Sequence, residues 1–121
     1  MKIVPLTYQA SARTKNIFLA LYQKQPLAKE EFFSSLPARA QKILLDFGKK
    51  QFRGDEGEIK SLWLNEAMPE RIVLFGMGEK EKWNERKEPL IARRMVQYAK
   101  REKISEFATR IFTPSLSPSS S

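Results

Sequence analysis

Arg71-Ile72-Val73-Leu74-Phe75-Gly76-Met77-Gly78-Glu79-Lys80 is the stretch on which the fold turns. Arg71 to Gly76 is the best strand in the chain, being β-branched and aromatic. Two glycines, Gly76 and Gly78, punctuate its end. Helical spacing follows. Leu90, Ile91, Met95, Tyr98 and Ala99 share one helix face, with Asn84 as cap and a start anywhere from Asn84 to Pro89. Ile104 to Phe112 then reads as another strand. Strand, loop, helix and strand in that order predict a right-handed parallel crossover.

Upstream, Ile59 to Leu64 reads as a strand and Asn65 to Glu70 as a turn. Lys49 to Glu58 is a charged loop holding Gly54 and Gly57. Leu36, Ala40, Ile43, Leu44 and Phe47 mark a helix face. Ser34 or Ser35 can cap that helix, Pro37 suits its first turn and Gly48 stops it. Lys15 to Tyr22 is apolar on both faces, the pattern of a central strand. Gln23 to Leu27 reads as a loop and Ala10 to Thr14 as a turn. Met1 to Gln9 can form a strand that Pro5 confines to an edge. The alternation predicts an α/β domain, a mixed sheet of about five strands with helices packed on it. That domain spans 1–112. Thr113 to Ser121 is a Ser/Pro tail expected to be disordered.

The chain has 121 residues and a net charge of +8, with no Cys and no His. Disulfides, zinc fingers and Cys- or His-based catalysis are excluded. The longest apolar run, Ile17 to Tyr22, is too short to cross a membrane, and no signal peptide is legible. A soluble, cytoplasmic chain without a membrane partner is expected.

Three features bear on chemistry. Gly76-Met77-Gly78, between a strand and a helix, is either a tight structural turn or a phosphate-binding loop; Glu81 stands where a third glycine would be needed. Phe52 to Glu58 sets acids beside glycines, in a spacing better suited to a solvated loop than to a metal site. Basic residues concentrate in 38–53 and 84–103. In the second group Arg93, Arg94, Lys100 and Arg101 lie off the apolar stripe and form a candidate nucleic-acid patch. Trp63, in an apolar strand, is expected in the core, and Trp83 beside the start of the second helix. No nucleophile stands beside a usable base.

From Phe52 to Ile111 the sequence resembles the N-terminal domain of leucyl (cytosol) aminopeptidases. Phe52-Arg53-Gly54-Asp55-Glu56-Gly57-Glu58 is similar to that family's Phe-x-Gly-Lys-x-Gly-Glu-like loop, with Asp55 where Lys is frequent. Arg71 to Lys80 is similar to its Arg-Val-Leu-Leu-Val-Gly-Leu-Gly-Lys-like strand and turn, and Lys15 to Tyr22 to its early hydrophobic strand. The resemblance implies a macro-like fold and a hexameric family. It also implies a separate catalytic domain that binds two divalent metals, usually zinc or manganese. The family's Asn-Thr-Asp-Ala-Glu-Gly-Arg ligand stretch is absent, so no catalytic residue, metal ligand or cofactor carries over to this chain. The chain is either a domain cut from a longer protein or a stand-alone relative. The implied role is a non-catalytic accessory domain for assembly, access or partner binding, with an aminopeptidase catalytic domain or other protein subunits as partners. Two alternatives follow. Some members of the family bind DNA, which with the +8 charge suggests a weak nucleic-acid-binding module. True macro domains bind ADP-ribose, which suggests a small-molecule site at Gly76-Met77-Gly78.

Overall fold

Five strands form one sheet in the order β1-β5-β2-β4-β3, with one 14-residue helix on each face. The strands are β1 (Lys2–Pro5), β2 (Asn16–Leu21), β3 (Ile59–Trp63), β4 (Arg71–Gly76) and β5 (Glu106–Thr109); the helices are α1 (Ala38–Gln51) and α2 (Glu88–Arg101). This is a computed structural model, and it describes residues 1–6, 14–29, 33–34, 36–64 and 69–110. Residues 10–13 and 65–68 of the turns read at 10–14 and 65–70, and the tail read at 113–121, lie outside the described residues.

The sheet is mixed. β2 runs parallel to β4 over six residue pairs, from Asn16 opposite Arg71 to Leu21 opposite Gly76. It also runs parallel to β5, which in turn runs parallel to β1. β3 is antiparallel to β4. The crossover from β4 through α2 to β5 is therefore parallel and passes over β2. Pro5 falls on the outermost strand, where a missing amide costs the ladder least.

Side-chain alternation divides the core into two layers, because successive residues of a strand face opposite ways. Ile17, Leu19, Leu21, Ile72 and Leu74 pack beneath Ala40 and Leu44 of α1. Phe18, Val73, Phe75 and Phe107 pack beneath Ile91, Met95, Tyr98 and Ala99 of α2. Phe18 is the centre of the second layer. Its ring stacks on Phe107 at 4.1 Å and lies 5.2 Å from Phe75 and 5.7 Å from Tyr98. Aromatic pairs at such spacings contribute about 0.5–1.5 kcal/mol each beyond area burial.

Several expectations are corrected. Gly48 does not stop α1, which continues to Gln51. A β-carbon at Gly48 would sit 2.8 Å from Leu27 Cδ1, so the glycine serves close approach. The residue at the N-cap is Pro37, and no side chain caps the helix there. Gln41 Nε2 instead donates to the carbonyls of Phe33 and Leu36. The second helix, by contrast, starts within the range read for it: α2 begins at Glu88, and Asn84 caps the single 3-10 turn before it, Glu85–Lys87, through Oδ1 and the Arg86 amide. Leu90 is 44% exposed, and Ala92 takes the buried place expected of it. Trp63 is 53% exposed rather than core. The reason is Arg71, which is buried: its guanidinium lies 4.3 Å from the Trp63 ring centroid, donates from Nε to Asn16 Oδ1 and pairs with Glu102 at 3.5 Å.

Candidate functional site

The C-terminal ends of parallel strands are where open α/β sheets bind ligands, above all where successive connections leave for opposite faces. Here the connection from β2 leads to α1 on one face, and the connection from β4 leads to α2 on the other. Both glycine segments picked out in the sequence meet at this rim.

Gly76, Met77 and Gly78 do not present free amides. Gly76 N–H donates to the Glu58 carbonyl at 2.7 Å, Met77 N–H to Leu21 at 2.9 Å and Gly78 N–H to Gly54 at 2.8 Å. All three donors that a phosphate would need are engaged with backbone. Gly78 has φ +82°, the left-handed region that favours glycine. Gly76 is required for another reason: a β-carbon there would overlap the Asp55 carbonyl oxygen.

The 52–58 loop closes over this turn and is satisfied in the same way. Glu58 Oε1 accepts from the amides of Arg53, Gly54 and Asp55 at 3.1, 2.9 and 3.2 Å. Successive amides converging on one point form an anion-binding concavity, and here the chain's own carboxylate fills it. Asp55 Oδ1 accepts from Gln23 Nε2 at 2.8 Å, and Glu56 pairs with Lys87 at 3.7 Å. The acids of the loop are thus committed to amides, an amide side chain and an ammonium. Among the described residues no group of three or more Asp or Glu could hold a metal ion. The donor set does not fit the two-metal centre that the resemblance associates with a catalytic domain.

Beside the loop, Tyr22 meets Trp83 edge-on at 5.9 Å. Burial, and secondarily the nearby Glu88 carboxylate, push the Tyr22 phenol above its ordinary value.

The cationic residues of α2 are arranged differently. Arg93, Arg94, Lys100 and Arg101 are spaced to share one side of the helix with Leu90 and Gln97. Arg93 and Lys100 are exposed and make no ion pair among the described residues. Arg101 lies 5.2 Å from the Tyr98 ring centroid and 4.0 Å from Glu102. Arg94 is half-buried, with Nη1 lacking a hydrogen-bond partner.

A third feature has no local signature in the sequence apart from Gly48. On the α1 side of the rim lies a recess of about 360 Å³, walled by Leu21, Leu27, Leu45 and Phe52. Lys24, Lys49 and Arg53 also line it.

Residues 18–118 match the family model described as cytosol aminopeptidase family, N-terminal domain. Comparison with curated proteins and with solved structures gives no match.

Proposed function

Because the chain belongs to the cytosol aminopeptidase family, as an N-terminal domain of that family, we propose that it is a non-catalytic accessory domain that docks on an aminopeptidase catalytic domain or another protein subunit. The family match over 18–118 carries this reading. The site chemistry supports it, since the rim acids are engaged in internal contacts and no metal-capable cluster occurs among the described residues. Peptide hydrolysis by two metals needs carboxylates free to bridge and clamp both ions. A cytoplasmic location and a macro-like fold belong to the same reading. No helix among the described residues is long and apolar enough to cross a membrane.

The test is a mixing experiment. The chain, titrated into a cytosol aminopeptidase catalytic domain from the same genome, forms a complex by analytical ultracentrifugation and alters that enzyme's assembly or its KM. The chain alone releases no leucine from a chromogenic amide in zinc or manganese buffer. Turnover by the rigorously purified chain, or a catalytic domain that neither binds it nor changes behaviour, overturns the reading.

A second reading rests on Arg93 and Lys100, which make no ion pair among the described residues and lie on the same side of α2 as Arg101. On it, the domain binds nucleic acid weakly, through phosphate contacts and counterion release. Fluorescence anisotropy with a random duplex should then show affinity falling steeply from low to physiological salt. The triple change Arg93→Glu, Lys100→Glu and Arg101→Glu should abolish it. Absence of binding at low salt removes this reading.

A further inference from the structure

The recess beside α1 is lined by cations that make no ion pair among the described residues. Its volume, about 360 Å³, falls in the range of roughly 300–1,000 Å³ typical of small-molecule sites. Leu21 forms its floor at the C-terminal end of β2 and is buried, as is Leu27. Leu45 and Phe52, from the end of α1 and just beyond, close the other side. Every charged residue among its described lining is a cation: Lys24, Lys49 and Arg53. None of the three is in an ion pair among the described residues, whereas neighbouring Lys50 pairs with Asp46 at 3.2 Å.

Lys24 adds an independent observation. Its φ is +64°, left-handed for a residue that has a β-carbon. A strained backbone of this kind costs on the order of 1–3 kcal/mol and persists only where its surroundings fix it. They do so here. Gln25 N–H reaches the Tyr22 carbonyl, Gln25 Oε1 accepts from Tyr22 N–H, and Gln23 N–H donates to the Gly78 carbonyl. The turn is therefore clamped to the interlocked glycine rim, and it places a lysine in the lining of the recess where a glycine would sit without strain. Lys103, the other non-glycine residue at positive φ among the described residues, simply ends α2, with Ile104 N–H returning to the Ala99 carbonyl.

We propose that this recess binds a small amphipathic carboxylate, its apolar body against Leu21, Leu27, Leu45 and Phe52 and its anionic head among Lys24, Lys49 and Arg53. The carbonyl end of α1 opposes an anion with only about half an elementary charge, which three cations outweigh. The same cations repel an ammonium, so free amino acids and short peptides with a nearby amine are disfavoured. The proposal does not rest on the accessory-domain reading.

The probe is octanoate, titrated into the full chain and followed by amide NMR shifts, with 1-octanol and octylammonium as controls. Saturable shifts at Leu21, Lys24, Leu27 and Phe52 are expected, with 1-octanol weaker by about fivefold or more, the scale set by one or more exposed charge pairs. Octylammonium should not bind. Lys24→Gly relaxes the turn while removing the cation. It should therefore keep or raise the melting temperature and still weaken octanoate about fivefold, and Lys49→Glu should weaken it at least as much. Equal affinity for octanoate and 1-octanol, shifts confined to α2, or no saturable shift at millimolar octanoate each overturns the proposal.

Discussion

Two glycine-bearing rims stand side by side at the same edge of the sheet, and they treat their polar groups in opposite ways. Where 52–58 closes on 76–78, the three turn amides and three loop amides all find acceptors inside the chain, and the acids find donors. Where 22–28 faces the end of α1, leucines and Phe52 line the recess with three cations that make no ion pair among the described residues. Gly76 and Gly48 therefore mark close packing, one against the Asp55 carbonyl and the other against Leu27. Cations without an ion pair among the described residues are what distinguish the second rim.

Replacing Gly76 with Ala attacks the first rim where it is tightest. The new methyl overlaps the Asp55 carbonyl, backbone against backbone with no flexible side chain to yield. A loss of about 3 kcal/mol or more in urea denaturation is expected, or failure to fold. A Gly76→Ala protein with wild-type stability would show that the two segments are not locked together.

Glu58→Ala tests whether the self-filled concavity contributes energy or merely geometry. Three amides lose a charged acceptor; those of Arg53 and Asp55 can recover water, and that of Gly54 is more enclosed. A loss of about 2 kcal/mol is expected. An added formate or phosphate that restored stability in this variant would show the vacated amides acting as an anion site.

Gly57→Ala separates conformation from space. Its φ is +90°, yet nothing lies within 4 Å of the point a β-carbon would occupy. The expected cost is about 1 kcal/mol, from backbone strain alone. Were it as damaging as Gly76→Ala, crowding would not be what sets the two apart.

The smallest effect is that of Tyr22, whose side chain belongs to both rims through Trp83 and the recess. Its phenol titrates above the ordinary value of 10.0 in the folded chain. Below that value both states hold the neutral phenol and folding bears no penalty. As pH rises through it, the unfolded chain ionises first, so stability falls. Tyr22→Phe should flatten part of the decline in chemical-denaturation midpoint above pH 10; an unchanged slope would place the phenol in water.

What could be read in advance follows from which forces are local. β4 carries its own evidence, since a run buried on both faces must be apolar at every position from Ile72 to Phe75. β2 was legible for the same reason, and Pro5 announced an edge. Gly48 misled because a stop signal and a packing contact look identical without Leu27 in view. Trp63 misled because its partner is a charged group, the buried Arg71 guanidinium of the adjacent strand, over which the exposed ring lies. Leu90 has helical spacing that fits the stripe but lies outside its buried arc. The site was the least legible. Gly76-Met77-Gly78 was visible as a turn, but its acceptors come from Leu21, Gly54 and Glu58, and the recess joins residues from 21–28 and 45–53.

The pairing of β1 with β5 has a consequence for how the chain is made. Lys2 lies opposite Glu106, and the amides of Lys2 and Leu6 reach the carbonyls of Ser105 and Thr109. β1 meets its partner in the sheet only once residues 106–109 have been made. Until then its amides have water for company, and the sheet lacks one edge. Contacts so distant in sequence slow folding through the entropy of closing a long loop. A ribosome stalled before residue 105 would hold a nascent chain in which β2, β3 and β4 can assemble under α1 while the N-terminal strand stays open to proteases and chaperones.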